Sequence, residues 1–429
     1  MFEGYRKNTH IRHSPVDLLG ILLLIFSAFP YVQIIPSASY TQPTALILAA
    51  LIFVLKTSPM RHVDLRDRTA LLGLALTGFT VFLLTCFPYD NQQEYKYLLN
   101  YISPLVITLA SLKYLIRHPD FSKKIMQASI VIWLGIAVVQ KFISPTFALG
   151  LVGQWSEHSF DILESGRGVL SLAPEPTHHA FHMLILAACL IQLDRSSFSR
   201  ILVLLCIFDA IVLAASSSAL VAIGLASLIL LLFYQLKWLA FVLILIMIGW
   251  FYTDSIKTIF PDGSRIFMLI SAVLAEPTAV LSVDYSVNMR LGGMIASIIA
   301  SGSNFFFPHG MGVASWEVSR EDLLQRLPWL MDLSNVGPPS GIGVLLFQIG
   351  LLALPFLWQV FSRILSINVR WTEQIVLLAI PFVFLGQYYI SAPSFSLLYA
   401  CALLRSYLLR QQRRQIMSDR PVQVEKLSV

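Results

Sequence analysis

Apolar runs of about twenty residues, separated by short polar connections, recur along almost the whole chain, and each is long enough to cross a bilayer as a helix. They fall at 17–35, 42–56, 69–88, 98–116, 125–143, 178–194, 201–216, 219–236, 238–253, 340–362, 372–390 and 392–409, about twelve spans in a single transmembrane domain covering residues 1–429. Two connections break the rhythm, at 144–177 and 254–339. Loops longer than about 15 residues inside a compact architecture are usually functional or disordered, and neither of these has the low-complexity composition of disorder. The longer loop carries apolar helical runs of its own, Ile266 to Leu274 and Leu291 to Ile299, expected to pack on the mouth of the bundle. Gly302 with Ser301 and Ser303 interrupts the second run, and Phe305, Phe306 and Phe307 then suit the aromatic belt at a membrane surface.

Composition strengthens the membrane reading. With 56% hydrophobic and 13% charged residues, the chain would expose far too much apolar surface in water. The four cysteines, Cys86, Cys189, Cys206 and Cys401, lie inside apolar runs without C-x-x-C spacing and read as small core residues. A basic N-terminal stretch precedes the first run, but the small-residue site Ser37-Ala38-Ser39 lies far beyond it, so a cleaved signal peptide is not expected. Most of the lysines and arginines fall in alternate short loops, which places the N- and C-termini in the cytoplasm and both long loops outside. The net charge of +6 therefore reports topology and anionic lipid, with no nucleic-acid partner implied.

One outer segment concentrates chemistry. Gly166-Arg167-Gly168 leads through Pro174-Glu175-Pro176 to His178 and His179, an arginine, a carboxylate and two imidazoles where a hydrophobic helix begins. Ionisable groups at a bilayer boundary mark a functional site by default. Pro176 is a good first helical residue, and the free amides of that first turn make an anion site. Asp209, alone in its span, is costly in lipid and expected to face the bundle interior, bonded to the serines at 216–218, to a neighbouring helix or to substrate.

These features resemble the superfamily of Wzy-type O-antigen polymerases and O-antigen ligases. The resemblance rests on the Gly166–Pro176 segment, on Asn288-Met289-Arg290-Leu291, on Pro308-His309-Gly310-Met311-Gly312, and on a glycine-rich span after the large outer loop, Gly337-Pro338-Pro339-Ser340-Gly341. It covers about residues 160 to 360. It implies an all-α, polytopic, GT-C-like integral membrane protein with two long outer loops, acting as a metal-independent glycosyltransferase without a cofactor. The implied substrates are undecaprenyl-diphosphate-linked oligosaccharides, donor and acceptor, at the periplasmic face of the bacterial inner membrane, with the lipid bilayer and a chain-length regulator as further partners. Ligases of the superfamily usually carry a His-Asn pair where this chain has Ser334-Asn335, and an arginine where it has Ser216-Ser217-Ser218. Both departures favour a polymerase over a ligase.

The residues fit such a reaction. Transfer from a lipid diphosphate needs a base for the acceptor hydroxyl and cations for the departing diphosphate. Glu175, His178 and His179 are candidates for the first; Arg167, Arg265 and Arg290 are candidates for the second, because guanidinium binds oxyanions bidentately and never loses its charge. Asn288, His309, Asn335 and Asp209 are possible supports, and Trp155, Trp316 and Trp329 offer faces for sugar rings. Plainer readings stay open: Glu175 pairing structurally with Arg167, and the histidines as interfacial imidazoles. Glu175-x-x-His178 and His178-x-x-x-His182 match metal-ligand spacings, but zinc needs at least three ligands and no further set is evident, so no metal is expected. A lipid-linked glycan flippase is the reading from another class; the absence of an internal repeat and the position of the charged cluster away from the midplane argue against it.

Overall fold

A computed structural model of the chain describes residues 15–34, 41–55, 63–86, 95–152, 168–234, 288–334 and 337–418. Among them the architecture is all-helical. The extended pairing is limited to one antiparallel bridge between Val32 and Val152. Helices α1 (Pro15–Ala28), α2 (Thr44–Leu55), α3 (Leu65–Cys86), α4 (Tyr95–Arg117) and α5 (Pro119–Phe142) precede the candidate segment. Beyond it come α6 (Pro176–Leu193), α7 (Ser197–Phe208), which runs into a π-turn at Asp209–Leu213, and α8 (Ser217–Tyr234). A second π-turn, Asn288–Gly292, opens α9 (Gly293–Ser303), followed by α10 (Val313–Arg326), α11 (Gly341–Ile349), α12 (Leu354–Leu365), α13 (Trp371–Leu385) and α14 (Pro393–Ser418).

Four helices among the described residues are long and apolar enough to cross a membrane: α3, α4, α5, and α11 with α12 taken as one span, Gly341–Leu365. Shorter apolar helices are α1, α2, most of α8 and α13. The predicted spans 178–194, 201–216 and 392–409 fall on α6, α7 and α14. The polar first turn of α6 dilutes its hydropathy, α7 is cut short by its π-turn, and α14 ends in a charged tail. The run 238–253 lies outside the described residues, as does Ile266 to Leu274. Outward-facing Leu76 and Leu84 of α3, Val54 and Leu55 of α2, and Ile201 and Leu204 of α7 give the bundle an apolar girdle. Such a girdle is consistent with a multi-pass membrane protein.

Helix α6 is the hub. Every residue from Thr177 to Leu193 except His178 is buried, and the helix packs against α5, α7, α13 and α14. A helix apolar nearly all round belongs inside a larger assembly, and this one carries its three histidines in its first two turns and Gln192, donating to the Ile364 carbonyl (2.9 Å), in its last. At the far end from that first turn, ion pairs tie the helices. Arg363 of α12 reaches Asp64 (2.8 Å) and Asp67 (2.9 Å), and fully buried Asp67 also accepts from Gln359 (2.6 Å) and Tyr399 (2.9 Å). Arg200 pairs with Glu373 (3.3 Å) and Lys123 with Asp194 (3.1 Å). Buried charge costs several kcal/mol unless paired and hydrogen-bonded, so these networks fix one packing register.

The run Leu291 to Ile299 falls on the second π-turn and on α9, which packs on α11 with α10 behind it. Ala296 and Ala300 meet Trp316, Leu323 and Phe347 in a small separate core. Phe305 and Phe307 are largely exposed, and Phe305 and Phe306 adopt left-handed backbone angles (φ 52° and 59°) that bulky residues rarely accept. The turn is held from below: Leu351 donates its amide to the Phe306 carbonyl (3.0 Å), and Gly350, at φ 63°, leaves no room there for a side chain.

Candidate functional site

The non-helical segment 168–175 enters the bundle and stays mostly buried, so each of its backbone polar groups needs a partner. Gln140 of α5 supplies two of them. Its carboxamide oxygen accepts from the Ser171 amide (2.6 Å), and its Nε2 donates to the carbonyls of Ser171 (2.9 Å) and Phe147 (2.8 Å). The Ser171 hydroxyl donates to the Trp133 carbonyl (2.9 Å), which helps hold Ser171 at φ 50°. The Val169 amide donates to Leu213 of the first π-turn (3.0 Å). Gly168, at φ 126°, sits so close to that turn that a Cβ would lie 2.2 Å from the Ala214 carbonyl oxygen. We expect Gln140→Leu to destabilise the protein by about 1–3 kcal/mol for each buried polar group left without a partner. The check is thermal unfolding of the detergent-purified protein; an unchanged transition would contradict this role.

The segment delivers Glu175 as the residue preceding α6, with Pro176 as the first helical residue, as the sequence predicts. Glu175 does not cap the helix with its side chain. Its carboxylate instead receives a charge-assisted hydrogen bond from Arg290 Nη2 (3.3 Å) and faces His178 Nδ1 at 3.8 Å. The three side chains remain partly accessible, at 22%, 17% and 13% for Glu175, Arg290 and His178. Arg290 projects from the second π-turn. Asn288 pins that turn by donating to the Trp329 carbonyl (2.7 Å) and accepting from the Met331 amide (2.9 Å). Two residues 115 apart, one from each long loop, thus meet at one helix end.

Behind this accessible triad lies an enclosed polar layer. His179 is fully buried, stacked on Trp133 at 5.6 Å, with Nε2 2.8 Å from Asp209 Oδ2 and Nδ1 3.4 Å from the Val169 carbonyl. The His179–Asp209 approach has the distance of an ion pair without the alignment of a hydrogen bond. As placed, His179 cannot meet a hydroxyl arriving from outside; Glu175 and His178 can. Asp209 thus faces the neighbouring helix α6 at ion-pair distance from His179, without a hydrogen bond from the serines at 216–218. Ser216 instead caps α8 and approaches Thr177 (3.5 Å). His182 engages the Ala28 carbonyl (2.8 Å) and the Tyr388 hydroxyl (3.3 Å), and Tyr388 bonds Ser394 (2.5 Å). Both ring nitrogens of His182 are thus engaged, and no group of three or more metal-ligating side chains assembles among the described residues.

Both π-turns carry candidate residues, Asp209 and Arg290. Single π-helical turns are frequent at functional sites because the extra residue re-aims the side chains around it. His309, an expected support, and Trp316, an expected sugar contact, make other contacts. His309 stacks on Phe347 (4.5 Å), and burial holds its imidazole below the ordinary value. Trp316, expected to face sugar, is instead a core residue: it is 1% exposed, edge-on to Phe347, and donates to the Ser334 carbonyl (2.6 Å). Trp329 is partly buried against the same core. Arg167, Arg265, Asn335 and Trp155 lie outside the described residues.

Sequence reasoning missed Gln140, Trp133, Tyr31 and Tyr388. Tyr31 packs edge-on against both His178 (6.1 Å) and His182 (5.9 Å). Gln140 had a signal, an uncharged polar residue inside an apolar span; the aromatics had none, since a buried ring in a bundle is the ordinary case. No known family model matches the chain, and neither the curated proteins nor the solved structures contain a match to it.

Proposed function

We propose that this chain is a polysaccharide polymerase of the bacterial inner membrane, transferring a glycan from undecaprenyl diphosphate to the non-reducing end of a second lipid-linked repeat unit at the periplasmic face. The observation that supports it is the meeting of Glu175 and Arg290 at an accessible helix end, a carboxylate and a guanidinium from two loops that the sequence reads as lying on one side of the membrane. Glu175 takes the proton of the acceptor hydroxyl as its oxygen bonds to the donor's anomeric carbon. The bond from that carbon to the diphosphate oxygen breaks, and the electron pair leaves with the diphosphate. Arg290 stabilises the growing negative charge, a role in which preorganised donors contribute most. Because Arg290 already touches Glu175, an arriving diphosphate competes for the guanidinium, and loss of that partner makes the carboxylate more basic when the acceptor is present. His178 sits 3.8 Å from Glu175 and is placed to pass the proton onward.

Loss of the gene tests the reading in cells. Single lipid-linked repeat units should accumulate at the outer face in place of a polymer ladder. Accumulation on the cytoplasmic face would instead mark a flippase and contradict the proposal.

A further inference from the structure

The bend that ends α7 grips both ends of the short stretch that delivers Glu175. The Ala214 amide donates to the Asp209 carbonyl five residues back (2.8 Å), which closes the wide π-turn, and Ala215 follows at φ 46°, a left-handed angle that a residue with a Cβ rarely accepts. Four contacts leave this bend. Two reach the start of the buried segment: the Leu213 carbonyl accepts from the Val169 amide (3.0 Å), and Gly168 lies directly against the Ala214 carbonyl. Two reach the first turn of α6: Asp209 Oδ2 stands 2.8 Å from His179 Nε2, and the Ser216 hydroxyl approaches that of Thr177 (3.5 Å). His179 closes the ring, because its Nδ1 faces the Val169 carbonyl (3.4 Å). Glu175 therefore sits between two clamped ends, residues 168–169 and 177–179, with Gln140 fixing the middle at Ser171.

Such a bend is costly to build. Asp209 is fully buried, and neither of its carboxylate oxygens has a hydrogen-bond donor among the described residues. Buried Asp67, by contrast, accepts from Gln359, Tyr399 and Arg363, as a carboxylate with a purely structural role should. Strained backbone and a poorly satisfied charge persist together where they serve a site, and here both lie in the layer behind Glu175. We propose that Asp209 is a positioning residue: through His179 and the bend it fixes where the Glu175 carboxylate stands opposite Arg290. Neither Asp209 nor His179 is accessible, so neither touches a substrate arriving from outside. The proposal rests on the reading of Glu175 as the base, and a base displaced by about 1 Å from its productive geometry can lose about 10²-fold in rate.

The test uses the purified full-length protein in nanodiscs with a lipid-linked oligosaccharide, measuring rate against donor concentration. Asp209→Ala should lower turnover by about 10²-fold while the donor KM stays near the wild-type value, the pattern of a displaced group whose substrate contacts survive. Asp209→Asn, which keeps the shape and can still bond the imidazole, should recover most of that loss. In a Glu175→Gln background, followed over long incubations, Asp209→Ala should cause no further loss, because no base is left to position. A thermal transition in detergent like that of the wild type establishes that each variant is folded, and His179→Gln carries the same turnover and background expectations if Asp209→Ala does not fold. Wild-type turnover in Asp209→Ala, a raised donor KM with unchanged turnover, or no recovery in Asp209→Asn would overturn the proposal. So would an equal fractional loss in the Glu175→Gln background, which would show a general loosening of the bundle. A Glu175→Gln protein with wild-type turnover would instead remove the base reading itself, and this proposal with it.

Discussion

Glu175→Gln is expected to lower polymer formation by about 10²-fold or more, the range in which a positioned general base contributes to a proton transfer. The substitution keeps the size of the side chain and an oxygen that can still accept from Arg290, so the meeting of the two loops should survive. What it removes is the negative charge that takes the acceptor's proton. The loss should therefore appear in turnover, with donor binding little changed. Glycan ladders near the wild-type level from an equally expressed Glu175→Gln protein would assign the carboxylate a structural role and leave His178 as the accessible base.

Arg290→Ala should cost about 10²–10³ in rate, corresponding to about 2.7–4 kcal/mol, by analogy with deletion of a preorganised donor at a developing oxyanion. Arg290→Lys should remain strongly impaired, because a compact ammonium cannot clamp two phosphate oxygens as a planar guanidinium does. The contact with Glu175 adds a sharper expectation. If the two act as a unit, the double variant Glu175→Gln with Arg290→Ala should be little worse than the more impaired single variant. Rates that multiply, measured in the same ladder assay, would mean that the two residues work independently.

Much of the described bundle was legible in the chain because long apolar helices announce themselves by length and hydropathy, although four of them, against the twelve spans expected, are long and apolar enough to cross a membrane among the described residues. The start of α6 was legible for a local reason: Pro176 fits the first helical position, and Glu175 before it has nowhere to continue a helix backwards. The partner of Glu175 was not. Pairing with the neighbouring Arg167 was one open reading, and Arg167 lies outside the described residues; the contact with Arg290, brought in by a π-turn far along the chain, had no signal, because sequence separation carries no information about such a meeting. His179 shows the complementary limit. His179 lies four positions after Glu175, about one helical turn, which suggests adjacency, yet burial is decided by what packs around each face. Trp133, Asp209 and Val169 enclose His179, while His178, one residue earlier, reaches the surface. Trp316 went astray for the same reason: an aromatic residue in an outer loop was read as a sugar platform, and α9, α10 and α11 turned out to form a core around it.

The most direct test of polymerisation at the Glu175–Arg290 site is reconstitution. The purified protein in nanodiscs is given a lipid-linked oligosaccharide, and glycan length is scored together with released undecaprenyl diphosphate. The account predicts a ladder with one diphosphate released per repeat joined, and neither product from the Glu175→Gln or Arg290→Ala protein. A ladder made equally well by both variants, or an active preparation that moves the lipid-linked glycan across the membrane without joining units, would contradict it.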